Sequence, residues 1–186
     1  MKKLISLMLA SAMLLSMTAC GGKDDTSATE AATEAATEAV TEETTEAATE
    51  APADTTGAAL LADFNARIAE NPDISAQEMA DALLTNSVIQ FGGASMPVEN
   101  GLLTGFGNAE ITGFSEGVMF APMIGTIAFV GYIFKLDDGA DAEAFKQTLA
   151  DNADPRWNIC TEADETVIES SGNTVFFLMC PSQFEE

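Results

Sequence analysis

The sequence predicts an α+β fold: N-terminal helices and one further helix packed on a small, mainly antiparallel sheet that ends in a β-hairpin. Three observations carry this expectation. Apolar residues at helical spacing open the region from about residue 57. A nine-residue run in its second half is apolar on both alternating faces. Two strand-like runs flank Ser171-Gly172-Asn173 near its end.

Leu60, Leu61, Phe64 and Ile68 fall on one face of a first helix, which Asn71-Pro72 should end because the residue before proline avoids helical angles. Ser75-Ala76-Gln77-Glu78 has the form of a capping box opening a second helix, with Met79, Leu83 and Leu84 as its apolar face. Gly92, Gly93, Pro97 and Gly101 mark an irregular middle from Phe91 to about Phe106. Thr126 to Phe134 reads as a central strand covered on both sides, ended by Asp137-Asp138-Gly139. A helix from about Asp141 to Ala150 places Phe145 and Leu149 inward and acids in its first turn, where the helix dipole favours them. Thr166-Val167-Ile168 and Thr174 to Leu178 then form the hairpin.

Ahead of this domain, expected at 57–186, the chain has a different character. Residues 20–56 contain Thr29-Glu30-Ala31-Ala32 followed by Thr33-Glu34-Ala35-Ala36 and Thr37-Glu38-Ala39-Val40, and no Leu, Ile, Phe, Tyr or Trp. Such a segment cannot offset its ordering entropy, so a disordered tether is expected, spanning on the order of 30 Å as a flexible coil. A helix of period four would stack Glu on Glu at i,i+4, where like charges repel.

Residues 1–19 carry Lys2-Lys3, an apolar run from Leu4 to Leu15, and small residues up to Ala19, directly before Cys20. A basic start, a short apolar stretch and small residues at a cut site make a secretory signal peptide. A bilayer span needs about 20 apolar residues, and this run is shorter and interrupted by serines. With a cysteine immediately after the cut, the segment resembles a bacterial lipoprotein signal, although Met17 stands where that family more usually has Leu. The resemblance implies cleavage before Cys20 and a lipid on its thiol. The expected location is therefore the cell membrane, lipid-anchored through Cys20, with the domain on the extracytoplasmic face.

Charge narrows the partners. From Gly21 to Thr56 one Lys faces ten acids, a net of −9; beyond it Arg67, Lys135, Lys146 and Arg156 face twenty, a net of −16. Nucleic acid needs a positive footprint and is not an expected partner. Cationic ligands, basic proteins and divalent cations remain compatible, as does plain solubility.

The chain has no histidine. That removes Ser-His and Cys-His nucleophiles, histidine zinc sites and a histidine pH switch. Gly113-Phe114-Ser115-Glu116-Gly117 matches the G-x-S-x-G elbow, yet the elbow needs a helix after it and a histidine partner. The glycines are read as turn-formers, and no catalytic residue is assigned. Lipidation of Cys20 leaves Cys160 and Cys180. An extracytoplasmic disulfide between them would close a loop of about 20 residues, worth roughly 3 kcal/mol; two buried free thiols are the alternative, and the sequence leaves both open. Asp137-Asp138-Gly139-Ala140-Asp141 and Asp151-Asn152-Ala153-Asp154 offer clustered oxygens but not the spacing of a calcium loop, so helix capping is preferred and no metal or cofactor is expected. Glu110 with Glu116, and Asp164 with Glu165, are carboxylate pairs of the kind glycoside hydrolysis uses, a common pairing in acidic proteins. Met119, Phe120, Pro122, Met123 and Ile124 are read as core beside the central strand, with an adaptable docking surface as the alternative.

The layout of lipobox, Ala-rich acidic spacer and short α+β domain, with Phe134-Lys135-Leu136-Asp137-Asp138-Gly139-Ala140-Asp141-Ala142-Glu143-Ala144-Phe145 in the stretch from Ile127 to Leu149, resembles small Firmicute (clostridial-type) lipoproteins with a C-terminal domain of unknown function. The likeness covers about the last 90 residues. It implies a location and an architecture, and no site residues. The expected role is a non-catalytic binding or interaction domain of the cell envelope, with an envelope protein or a small extracellular ligand as partner. The alternative is a carboxylate-dependent envelope hydrolase, cation-assisted or not.

Overall fold

A computed structural model describes residues 54–184; the segment read as a signal peptide, Cys20 and the stretch read as a tether up to residue 53 lie outside the described residues. Helix α1 (Thr56–Glu70) opens at Thr55, whose hydroxyl accepts from the Ala58 amide at 3.2 Å and so satisfies one of the free N–H groups of the first turn. Leu60, Phe64 and Ile68 are its buried stripe, and extended backbone at Asn71 stops it ahead of Pro72. Helix α2 (Ala76–Leu83) begins with the expected capping box: Ser75 and Glu78 each accept from the other's backbone. Ala76, Met79, Ala80 and Leu83 are its buried face.

The main sheet has the order β1-β4-β5-β7-β6 and is antiparallel throughout. Its strands are β1 (Gly93–Val98), β4 (Phe114–Pro122), β5 (Val130–Leu136), β6 (Glu165–Ser171) and β7 (Thr174–Cys180). Between β1 and β4 a two-stranded ribbon pairs β2 (Gly101–Leu102) with β3 (Glu110–Ile111). Helix α3 (Ala142–Asn152), capped by Asp141, which accepts from the amides of Glu143 and Ala144, connects β5 to β6. The α+β class, the third helix and the closing hairpin are as the sequence predicts.

Two segments differ. The stretch read as an irregular middle contains β1, an edge strand paired with β4, with Pro97 opposite Val118. Proline lacks an N–H for the ladder and is tolerated where a strand has only one neighbour. The central strand begins at Val130, four residues later than expected. Ahead of it, the Thr126 carbonyl accepts from the Thr161 hydroxyl at 3.0 Å and the Ile127 carbonyl from the Asn158 amide at 3.2 Å. Side chains of a neighbouring loop thus take the backbone partners a strand would have used, and the apolar run bends away from the ladder.

β5 is covered on both faces because its alternate residues serve different cores. Ile133 joins Phe64, Met79, Phe120, Phe129 and Phe176 beneath α1 and α2. Val130, Tyr132, Phe134 and Leu136 join Phe106, Phe114, Phe145 and Phe177 beneath α3 and the ribbon segment. Gly131 is required on the first face: the Phe120 ring occupies the space a Cβ would fill. Tyr132, the sole tyrosine, donates to the Thr104 carbonyl at 2.9 Å, and burial pushes its phenol above the ordinary range.

Antiparallel pairing gives the sheet two distinct ends. One gathers Val98, Phe114, Leu136, Thr174 and Ser171; the other gathers Gly93, Pro122, Val130, Cys180 and Glu165. α1 also starts at the second end, where the Thr56 amide donates to the Ser182 carbonyl at 2.9 Å.

Candidate functional site

Polar side chains at the first end bond to backbone. Asn100 donates to the Phe114 carbonyl at 2.9 Å and accepts from the Gly113 amide at 2.8 Å, and Asn173 donates to the Leu136 carbonyl at 2.8 Å. Ser115 sits where the β4–β5 register shifts, and its hydroxyl donates to the Lys135 carbonyl at 3.2 Å. Gly113 precedes it at φ +101°, in the left-handed region that a side chain disfavours. The G-x-S-x-G pattern is therefore a turn and a β-bulge leading into a strand, without the helix an elbow needs.

The carboxylate pairs are also separated by their uses. Glu116 reaches from β4 to accept from the Ala76 amide at the start of α2 (3.0 Å), while Glu110 is exposed on the ribbon. Glu165 reaches from β6 to accept from the Gly57 amide at the start of α1 (3.0 Å), and Asp164 accepts from the Ser182 amide and hydroxyl at 3.0 and 3.3 Å. Two strand carboxylates thus anchor the positive ends of two helices to the sheet. The acids bracketing α3 behave likewise: Asp141 caps it, Asp154 accepts from the Arg156 amide, and Asp151 accepts from Gln147. Among the described residues no three potential ligands gather as a metal site.

Cys160 and Cys180 are free thiols here: Cys160 is exposed and Cys180 is buried at the end of β7. The alternative of two buried thiols therefore describes Cys180 alone. Burial, then the charge of Glu165, pushes the Cys180 thiol well above its ordinary range, which keeps it protonated and inert.

The second end of the sheet is different in kind. A cleft of about 570 Å³ opens there between the β4–β5 loop (Thr126, Ile127, Ala128), the α3–β6 loop (Thr161, Glu162, Asp164), Gln90 and the tail Pro181–Phe184. A second hollow of about 350 Å³ adjoins it, sharing Gln90, Gln183 and Phe184 and reaching Asp54 and Thr56. Phe184 forms part of the wall because its ring stacks edge-on against Phe91 at 5.5 Å, and Phe91 in turn packs on Phe129. Two acids and no basic residue line the larger cleft. Arg156 lies outside the lining and is paired with Glu162 at 2.7 Å.

Large apolar side chains stand in solvent on the loops that supply two of its walls. Met123 is 70 % exposed, Ile124 89 % and Ile159 98 %. Their loops are tied to each other by the Thr161–Thr126 and Asn158–Ile127 hydrogen bonds. The cluster read as core is therefore divided: Phe120 is fully buried, while Met123 and Ile124 are not. Nothing local in the sequence marks the cleft, because its walls come from four separate segments. Only an aliphatic residue in a polar loop, Ile159 between Asn158 and Cys160, could have drawn attention to it.

No helix among the described residues is long and apolar enough to cross a membrane. Comparisons with protein-family models, with curated proteins and with solved structures give no match to this chain.

Proposed function

We propose that this chain is a membrane-tethered extracytoplasmic lipoprotein, of the same general kind as the small Firmicute lipoproteins its layout resembles, whose domain binds a partner and does not catalyse. The tethering half of the proposal rests on Lys2-Lys3, the apolar run and Cys20. The observation that carries the binding half is the cleft between Gln90, Thr126, Glu162 and Phe184, with Ile124 and Ile159 exposed on the adjoining loops. Concave sites with a few converging polar groups are where ligands bind, and exposed apolar clusters mark contact surfaces.

A carboxylate hydrolase is the second reading, favoured by the presence of Glu162 and Asp164 on the same cleft. Against it, Glu162 is paired with Arg156 and Asp164 holds the tail through Ser182. One experiment separates the two. The full chain is screened against cell-wall fragments, sugars, peptides and cations for both a saturable rise in melting temperature and turnover. Saturable binding without turnover, at most weakened by Glu162→Gln, supports the module; turnover abolished by that substitution supports the hydrolase. Mass measurement of Cys20 from membrane fractions tests the anchor, and an unmodified Cys20 there would refute it.

A further inference from the structure

Charge is unevenly spread over the domain, which carries a net of −16 from residue 57 onward. Residues 82–98 and 117–134 contain no charged residue, and neither do 157–161 or 181–184. Those stretches supply loops of the open end, where β1 and β5 begin, β4 ends and the tail follows β7. The loops of the other end carry exposed Glu99, Asp137, Asp138 and Asp141. Asp54 precedes α1 at the open end, and the acids of the α3–β6 loop have partners there. Asp154 accepts from the Arg156 amide, Glu162 pairs with the Arg156 guanidinium, and Asp164 holds Ser182.

Apolar exposure follows the same division. Five large apolar side chains are exposed among the described residues, and three of them, Met123, Ile124 and Ile159, stand on these uncharged loops. The Thr161–Thr126 and Asn158–Ile127 hydrogen bonds fix the two loops to each other, so the three side chains belong to a preformed surface. Such a surface can leave water without stranding an ion in an apolar medium.

The direction of the chain says what that surface meets. Helix α1 starts at this end, where Thr55 caps it and the Thr56 amide donates to the Ser182 carbonyl at 2.9 Å. The segment from Cys20 to residue 53, read as a tether with a reach on the order of 30 Å, therefore joins the domain at the end that carries the exposed residues. A lipid on Cys20 would hold this end, and not the acidic one, towards the bilayer, and confinement raises the effective concentration of lipid around it. We propose that the open end seats on the membrane surface, with Met123, Ile124 and Ile159 entering the boundary between headgroups and acyl chains. This orientation rests on the lipid anchor proposed at Cys20. Three side chains make a weak contact that a bound partner can displace, so the cleft at the same end stays open to recognition.

The test uses the full chain purified from membranes and placed in phosphatidylcholine vesicles. A polarity-sensitive dye is attached to Cys160, the exposed thiol beside Ile159; Cys180 is buried. Its emission should shift to the blue and lose access to aqueous iodide. A dye at position 138, introduced by Asp138→Cys with Cys160→Ser, should do neither. Combining Ile124→Ser with Ile159→Ser, at exposed positions where substitution hardly touches stability, should lower the ratio of docked to free domain about tenfold. Anionic phosphatidylglycerol in place of phosphatidylcholine should weaken docking, because the acidic domain is repelled. Stronger docking on the anionic lipid, or equal shielding at positions 160 and 138, would overturn the proposal. So would shielding at 160 that grows with the protein-to-lipid ratio and ignores lipid composition, which would assign the surface to a second copy. Vesicle-bound chain with its dye at 160 open to iodide would overturn the docking and leave the anchor standing. Unmodified Cys20 in the mass of the purified chain would remove the anchor and the orientation with it.

Discussion

The two ends of the sheet are built from similar residues, and only one of them leaves some of those residues around open space. At the end formed by Val98, Phe114, Leu136 and Thr174, the amides of Asn100 and Asn173 and the hydroxyl of Ser115 bond to backbone carbonyls. At the end formed by Pro122, Val130 and Cys180, glutamines and threonines line a hollow, and isoleucines face water. Polar groups at the first end contribute by satisfying the backbone of turns and a bulge, so they are structural. At the second end Thr161 and Asp164 likewise hold the backbone of Thr126 and Ser182, but Gln90 and Gln183 border unfilled space, and that is where a partner can be recognised without disturbing the fold.

The largest expected difference is in thiol chemistry. Cys160 on the open-end rim should react at once with a thiol reagent, whereas Cys180 must await opening of β7. Because core strands open with free energies approaching global stability, the rates should differ by a factor on the order of 10³ or more. Counting labelled thiols over time checks this: equal rates would mean that the open end extends into the sheet. Next in size is stability. Phe134→Ala, which removes a ring packed on Phe114, Tyr132 and Phe145, should cost about 3–5 kcal/mol in urea unfolding. Ile159→Ala should stay within about 0.5 kcal/mol. A large loss at Ile159 would make the rim part of the core and end the comparison.

How much of this was legible from the sequence depends on whether the cause is local. The Ser75–Glu78 box, the Asp141 cap and the hairpin at Gly172 each reside within a few neighbouring residues, and each stands where the pattern placed it. Strand β1 was hidden because Pro97 signals a break everywhere except on a sheet edge, and edge position is a property of the whole sheet. The late start of β5 depends on Asn158 and Thr161, more than thirty residues away. Likewise, Glu116 and Glu165 look like spare carboxylates until the helix starts they hold are brought beside them, at sequence separations of 40 and 108. The cleft was least legible of all, because nothing local distinguishes an isoleucine on a rim from one in a core.

Smaller effects sharpen the closed end further. Asn100→Ala should cost about 1–2 kcal/mol, since it leaves the Gly113 amide and Phe114 carbonyl without their partner, while Gln183→Ala should be near neutral. The smallest effect concerns pH. Hydrogen bonds from Ser75, side chain first and then backbone, lower the Glu78 carboxyl below its ordinary range. A carboxyl lowered in the folded state contributes its stability above the ordinary pKa and loses it as pH falls through the lowered value. Wild type should therefore lose a small increment on acidification that Glu78→Gln does not, read as the difference between their urea midpoints. Identical acid profiles would mean that the box adds nothing to the anchoring of α2.

The proposed function places recognition at the open end alone. Its most direct test places a photo-crosslinking residue at Ile159 or at Asp138, both on exposed loops, in the full chain within the cells that make it. A discrete adduct with a single partner is expected from position 159 and none from position 138. Equal adducts from both positions, or none from 159, would contradict it.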